Sequence, residues 1–157
     1  MLDSLSGALR LVALVVAAAD AGVAVRPSAS SAEQQAVQAQ ARAFFTDLLA
    51  RRIDGVVEQS ELPFYLEGRR IASGDELAAE WTRNLIDKRL DLLTLDGIEI
   101  LTPSQMQKRY GNPPSRLSKL PWRREHTYLA VANISGRAAI AVFHRSASGW
   151  RAVGFTD

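Results

Sequence analysis

The chain has 157 residues, of which 47% are hydrophobic and 23% charged, the composition of an ordinary globular domain. The 19 basic and 17 acidic side chains leave a net charge of only +2, which excludes a supercharged nucleic-acid-binding tail and an acidic disordered chain. Cysteine is absent, which excludes disulfides and thiolate sites, and two histidines, His126 and His144, are too few for a histidine-rich metal centre. We predict no metal and no cofactor.

The N-terminal segment, residues 1–32, differs from the rest of the chain. Arg10 precedes an uncharged apolar run over residues 11–19, and small residues follow over 27–32. A basic residue, a short apolar run and small residues form the layout of a secretory signal peptide. The run is shorter than the ~20 residues that cross a bilayer. We therefore predict a cleaved signal, with an uncleaved membrane anchor or an ordinary buried helix as alternatives, and a secreted or periplasmic domain over residues 33–157.

Two helices are predicted after this segment. Ser31 with Gln34, or alternatively Ser30 with Glu33, has the spacing of a capping box at a helix start. Apolar residues then recur at intervals of three and four, namely Val37, Ala41, Phe44, Phe45, Leu48 and Leu49. The pattern pauses at Asp54–Gly55 and then resumes briefly, which predicts a second, short helix. We expect the apolar stripe of both helices to lie on a sheet.

A hairpin, a third helix and long strands are predicted next. The apolar run 62–66, the turn Glu67–Gly68 and the short return 69–71 have the pattern of a β-hairpin. Ser73, with Glu76 three residues later, predicts the capped start of a helix. The apolar face of that helix contains Leu77, Ala78, Trp81, Leu85 and Ile86. Strand-like segments follow over residues 90–101, 125–134, 138–144 and 150–156.

The last three strands form two different faces if Ser135–Gly136 is a two-residue turn and residues 146–149 form the next loop. One face has bulky side chains, with His144 beside Arg151 at one end: Leu129, Val131, Ile140, Val142, Val153 and Phe155. The other face has small side chains and three clustered aromatic residues: Tyr128, Ala130, Ala132, Ala139, Ala141, Phe143, Trp150, Ala152 and Gly154. We expect the bulky face to cover the helices. A slip of one residue in register would exchange these roles.

The small-residue face predicts a homodimer. If helices cover only the bulky face, the small-residue face is too large and apolar to remain in contact with water. Small residues allow two sheets to approach closely, and two-fold pairing is the commonest symmetry for such a surface. The predicted interface contains Tyr128, Ala130, Ala139, Ala141, Phe143, Trp150 and Ala152.

The segment between the predicted strand 90–101 and the last three strands, residues 102–124, contains many basic residues and several prolines. We call it the connector. Its basic residues are Lys108, Arg109, Arg116, Lys119, Arg123 and Arg124, and Tyr110 and Trp122 lie among them. Pro113–Pro114 and Pro121 favour an extended backbone. We expect a solvated strand extension and loop. The alternative is that residues 108–124 bind an acidic partner, whereas no nucleic-acid partner is expected for an exported chain.

The order of these elements resembles the nuclear-transport-factor-two-like superfamily, which includes ketosteroid isomerases and polyketide cyclases. The residues that carry the resemblance are Phe44–Phe45, the helix opening 73–77 and the ending 149–155. It covers about residues 33–157. It implies an α+β fold in which a cone-shaped, curved antiparallel sheet wraps around about three N-terminal helices and leaves a pocket at its open end.

The resemblance does not supply a catalytic site. The position of the ketosteroid isomerase general base corresponds to Tyr65. A tyrosine hydroxyl has a free pKa of ~10, which is too high for a general base near neutral pH. The tyrosine of the first helix in that family is replaced by Phe44–Phe45, which offers no hydroxyl. We predict no catalytic residue. The pocket is predicted to contain Phe45, Tyr65, Trp81, His144 and Arg151, with Arg151 available for an anionic ligand, although aromatic residues at helical spacing, such as Phe45 and Trp81, more often belong to the core.

Three functional hypotheses follow. The first is an exported, non-enzymatic domain that binds a small apolar ligand or a protein partner. The second is a lyase, isomerase or hydrolase that acts on a small molecule in an unrecognised pocket with Tyr65, His144 or Glu67. The third is a membrane-anchored component of a periplasmic assembly. Fold alone cannot choose among them, because this superfamily contains enzymes and non-enzymes.

Overall fold

The computed structural model describes residues 29–121 and 126–157. The elements in chain order are α1 (Ala29–Leu49), α2 (Ile53–Glu58), β1 (Ser60–Leu66), β2 (Arg69–Ile71), α3 (Gly74–Leu85), β3 (Leu95–Leu101), α4 (Pro103–Tyr110), β4 (Thr127–Ile134), β5 (Arg137–Ser146) and β6 (Gly149–Thr156). Single 3-10 turns lie at Leu90–Leu92 and Ser115–Leu117. The predicted signal peptide falls largely outside the described residues, although its last residues belong to α1.

The fold is α+β, with a curved sheet of six strands in the order β2-β1-β6-β5-β4-β3. All neighbouring strands are antiparallel except β1 and β6, which are parallel, so the sheet is mixed rather than wholly antiparallel. The helices α1, α2 and α3 precede or interrupt the strands as the sequence predicted. None of the helices in the described part of the chain has the length and apolar character needed to cross a membrane.

Local signals in the sequence placed several elements correctly. The side chain of Ser73 accepts a hydrogen bond from the backbone N–H of Glu76 and caps α3, as predicted. Ser135 and Gly136 have φ angles of 49° and 82°. These are the positive values of a type I′ turn, whose twist suits a two-residue hairpin. The predicted strand 90–101 is shorter, because its first residues form a 3-10 turn and β3 begins at Leu95.

The register between β4 and β5 is the predicted one, with Tyr128 opposite Phe143 and Ala132 opposite Ala139. A β-bulge changes the register between β5 and β6. Phe143 lies opposite Ala152 as expected, but Val142 lies opposite Gly154, which leaves Val153 as an extra residue in β6. The predicted pairing of Ala141 with Gly154 is therefore wrong. Ala141 lies opposite Phe155 instead.

The bulge corrects the predicted faces. An extra residue reverses the side to which the following side chains point. Phe155 therefore joins the core beneath the helices, and Gly154 lies on the opposite side of the sheet, where it approaches Leu120 of the connector.

The helices cover the small-residue face, which is the reverse of the prediction. Ala130, Ala141 and Ala152 are fully buried in one cluster with Phe44 and Trp81. The physical reason is that the helices supply the bulk: large aromatic side chains of α1 and α3 fill space that small sheet residues leave open, as close packing requires. The predicted dimer interface is thus part of the core, including Tyr128, Ala139, Phe143 and the partly buried Trp150. Dimerisation stays a prediction, but it would need another surface.

The connector covers the bulky face of the sheet. Met106, Leu117 and Leu120 are buried against strand residues that include Leu129, Val131, Ile140, Val142 and Val153. The expectation of a solvated strand extension and loop is therefore wrong for residues 103–110, which form α4. The side chain of Thr102 accepts a hydrogen bond from the backbone N–H of Gln105, and the Gln105 side chain accepts one from the backbone N–H of Thr102, which completes a capping box.

Candidate functional site

A cavity of about 530 Å³ lies between the helices and one end of the sheet. Its walls come from the C-terminal ends of α1 and α3, from residues 88–93, and from the ends of β1 and β6. The turn between β4 and β5 completes it. Most of its lining is apolar, and includes Leu48, Leu66, Trp81, Leu85, Leu90 and Phe155. Ligand-binding sites of proteins typically have volumes of about 300–1,000 Å³ and such a lining.

Trp81 is fixed at this site by the helix that carries it. Leu77, Trp81 and Leu85 recur at intervals of four along α3 and are all buried, so one face of the helix points at the sheet. The Trp81 ring lies 5.0 Å from the Phe155 ring, in an edge-to-face arrangement. The indole Nε1 is buried and has no hydrogen-bond acceptor among the described residues. An unsatisfied buried donor of this kind costs about 1–3 kcal/mol.

Charged side chains surround the apolar lining. The lining contains four cations, Lys88, Arg89, Arg116 and Arg137, and two carboxylates, Glu67 and Asp157.

Ion pairs engage most of these charges. Lys88 Nζ lies 2.9 Å from Asp157 Oδ2. Arg116 pairs with Glu67, and Arg89 pairs with Asp91 outside the cavity at 3.0 Å.

Glu67 and Asp157 both accept hydrogen bonds from neighbouring groups. Glu67 accepts hydrogen bonds from the Thr156 hydroxyl at 3.0 Å and from the backbone N–H of Asp157 at 2.9 Å. Burial raises the pKa of Asp157, but the hydrogen bond and charge of Lys88, with smaller contributions from a hydrogen bond with Glu67 and from the charge of Arg137, outweigh burial and leave that pKa below its ordinary value. The six charged residues of the lining form the rim of the cavity, and both of its carboxylates are hydrogen-bonded.

The five predicted pocket residues do not come together. Phe45 and Trp81 are buried beneath the helices, and of the five only Trp81 lines the cavity. Tyr65 packs against the cluster on the opposite side of the sheet. His144 lies opposite Arg151 in register, as predicted, but the guanidinium of Arg151 donates to Ser148 and to the carbonyl of Glu58. The sheet separates Phe45 and Trp81, which lie on its helix side, from Tyr65 and His144, which lie on the other side.

Apart from Glu67, none of the rim residues is among those that the sequence predicted to form the pocket. The other rim residues lie shortly after α3, in the connector, at the start of β5 and directly after β6, so no local spacing connects them. The signal available in the sequence was topological. The turns Glu67–Gly68 and Ser135–Gly136 lie at the same end of the strands of one sheet. Charged residues beside the two turns therefore lie close together at the rim.

The basic connector contributes less free positive charge than its sequence suggested. Arg109 pairs with Glu99, and Arg116 pairs with Glu67. Lys108 and Lys119 are exposed. Arg123 and Arg124, which also belong to the predicted binding segment for an acidic partner, lie outside the described residues. That partner stays a prediction.

A larger and more open depression of about 720 Å³ lies on the other side of the sheet, beside α4. Its lining includes Met106, Tyr110, Val131 and Ile140. Within residues 29–121 and 126–157, no group of three or more acidic or histidine side chains is placed to hold a metal ion.

The cavity beneath the helices is a better candidate site than this depression, because it combines a deep apolar lining with an organised polar rim.

Comparisons with known proteins give a structural likeness but no sequence family. The sequence matches no protein-family model and no curated protein. The structure is similar to the crystal structure of a domain of unknown function with a cystatin-like fold from Nostoc punctiforme. The two chains are 13% identical, the TM-score is 0.43, and the match covers 80% of this chain and 75% of that chain.

Proposed function

We propose that the chain is a binding domain of the nuclear-transport-factor-two-like type that holds a small, mainly apolar molecule in the cavity beneath its helices. The observation that carries this proposal is the apolar lining of the 530 Å³ cavity, which leucines from both α1 and α3 share with Phe155 of β6. Removing apolar surface from water is the main source of such affinity, at about 25 cal/mol per Å².

The polar groups of the site suit binding better than catalysis. General acid–base chemistry needs a group whose pKa lies near the working pH and which is free to exchange a proton with the substrate. At this rim the lowered pKa of Asp157 moves away from neutrality, and Glu67 is already occupied by Arg116 and Thr156. His144, a candidate base in the sequence, lies on the opposite side of the sheet.

Fluorescence titration with N-phenyl-1-naphthylamine, a neutral apolar dye, tests the proposal. We expect the dye to bind the wild-type chain with a blue-shifted, enhanced emission. Ile134→Trp places a larger side chain in the cavity wall and should reduce dye affinity at least about tenfold, since filling the space removes contacts with the ligand.

Ile86→Trp is the matched control. Ile86, the residue directly after α3, is 63% exposed and is not part of the cavity lining, so this variant should bind the dye like the wild type. Thermal unfolding establishes that both variants fold. A wild-type chain that does not bind the dye, or equal binding by the folded Ile134→Trp variant, would overturn the proposal.

We also propose that the domain is exported, with the composition of residues 1–32 as the support. A mature chain that begins at Glu33 would keep the carboxylate that accepts hydrogen bonds from Arg145 at 2.8 Å and from Tyr128 at 3.3 Å. Fusing residues 1–32 to a reporter that is active only outside the cytoplasm should give secretion, and N-terminal sequencing of the secreted full chain should begin near Glu33. Unprocessed protein in the cytosol would contradict export.

A further inference from the structure

We infer that the ligand of this cavity is an amphipathic anion, a hydrocarbon chain with a terminal carboxylate, and that Arg137 holds the carboxylate. This inference rests on the proposed function, because it assigns a polar end to the molecule whose apolar body fills the cavity. Two observations carry it: cations outnumber carboxylates at the rim, and the guanidinium of Arg137 lies at the end of the apolar lining.

The charge imbalance is local and follows from the lining residues. Four cations and two carboxylates line the cavity. Arg116 is paired with Glu67, Lys88 with Asp157, and Arg89 with a carboxylate outside the cavity. The side chain of Arg137 makes no hydrogen bond or ion pair within the part of the chain that the structure describes. It is the lining cation whose donors are all available to a ligand.

The backbone places Arg137 at the border between the apolar lining and solvent. Arg137 is the first residue of β5 and lies opposite Ile134, the last residue of β4. Strand alternation puts it on the same face as Ala139 and Ala141, which is the face beneath the helices. Ile134 and Ala139 both line the cavity. A ligand whose hydrocarbon chain lies against these residues would therefore have its end beside Arg137.

The neighbouring charges favour an anion over other polar ends. Asp157 is the carboxylate that Arg137 influences electrostatically, but Asp157 already accepts a hydrogen bond from Lys88. A ligand carboxylate would thus meet Arg137 and Lys88 beside Asp157, while the second lining carboxylate, Glu67, is already engaged by Arg116 and by the Thr156 hydroxyl. A guanidinium presents parallel N–H donors that match the two oxygens of a carboxylate. A cationic ligand would be repelled by the same groups, and a neutral one would leave the donors of Arg137 to water.

Displacement of bound N-phenyl-1-naphthylamine by decanoate and by 1-decanol tests the inference, because the two probes share their chain length and differ in the charged end. In the wild type both should displace the dye, and raising the salt concentration should weaken decanoate more than decanol. Arg137→Gln should weaken decanoate about 5- to 10-fold, the range for a charge-assisted contact at a partly solvated rim, and leave decanol unchanged.

Arg70→Gln is the matched control, because Arg70 is exposed on β2 and does not line the cavity. It should leave both affinities unchanged. If Arg137→Gln leaves decanoate unchanged, weakens both probes equally, or acts no more strongly than Arg70→Gln, the inference is wrong while the proposed function stands. If neither the dye nor decanol binds the folded wild type, the proposed function fails and the inference fails with it.

Discussion

The rings of Trp81 and Phe155 meet at a centroid distance of 5.0 Å and an interplanar angle of 70°. This contact joins α3 to β6, and it exists because the bulge at Val153 turns Phe155 toward the helices. Without the extra residue, Phe155 would point to the side of the sheet that the connector covers. The same contact forms part of the cavity wall, so the bulge contributes both to core packing and to the candidate site.

Phe155→Ala should destabilise the fold by about 3–5 kcal/mol, because it removes a buried ring that contacts Trp81 and Phe45 and enlarges the cavity. Urea unfolding followed by circular dichroism measures the free energy of unfolding. Tyr110→Ala is the control, because Tyr110 is 53% exposed and its hydroxyl donates one hydrogen bond, to the half-buried Glu99 carboxylate; it should cost no more than about 1 kcal/mol. Equal losses in the two variants would contradict the packing described for Phe155.

Ala141→Arg should prevent cooperative folding. Ala141 is fully buried beneath the helices, and a guanidinium there would be charged, desolvated and unpaired, at a cost above about 4 kcal/mol. Ala138→Arg, three residues earlier on the same strand at an exposed position, should fold like the wild type. Soluble yield and thermal unfolding distinguish them. A cooperatively folded Ala141→Arg chain would show that this face of the sheet is not the core.

The sequence predicted those parts of the fold that depend on local chemistry. The Ser73 cap, the Ser135–Gly136 turn and the β4–β5 register each follow from a few neighbouring residues, and the structure has all three. The covered face could not be predicted in the same way, because both faces of the sheet are apolar and both are buried, one by helices and one by the connector. Choosing between them required the volume of the helix side chains, not their hydrophobicity.

The candidate site was less predictable than the fold. One extra residue at Val153 moved Phe155 into the cavity wall, and the adjacent Gly154 is the sign in this strand, since a glycine inside a strand often marks a bulge or a close backbone approach. The rim depends on long-range contacts such as Lys88 with Asp157, which are 69 residues apart. Trp81 lines the cavity because helical periodicity alone points it at the sheet.

Gly154→Ala tests the packing of the connector on the sheet. A Cβ at Gly154 would lie 2.6 Å from Leu120 Cδ1 and 3.3 Å from the carbonyl oxygen of Tyr65, so the buried Leu120 side chain must move. We expect a loss of about 1–3 kcal/mol in the free energy of unfolding. In a Leu120→Ala background the same substitution should cost less, because the clashing atom is gone.

Gly97→Ala is the control for this cycle, because a Cβ at Gly97 meets no atom within 4 Å. It should be nearly neutral in both backgrounds. Purely additive effects of Gly154→Ala and Leu120→Ala would show that the connector does not pack on β6 as the structure describes.

The last prediction concerns the pH dependence of stability and the carboxylate of Glu80 on α3. Burial raises the pKa of Glu80, but hydrogen bonds from Arg69 and Arg83, both 2.9 Å long, together with their charges, lower it below the ordinary value of 4.5. A carboxyl whose pKa is lower in the folded chain stabilises the fold fully above the unfolded-state value. This stabilisation is lost as the pH falls through the folded-state value.

Glu80→Gln should therefore lower the free energy of unfolding at pH 7, and the difference from the wild type should shrink as the pH falls below 4.5. Urea unfolding of both proteins from pH 7 to pH 3 measures this difference. Glu61→Gln, at an exposed position on β1, is the control and should stay close to the wild type at pH 7. A difference between Glu80→Gln and the wild type that stays constant or grows toward acid would contradict the ion pairs of Glu80 with Arg69 and Arg83.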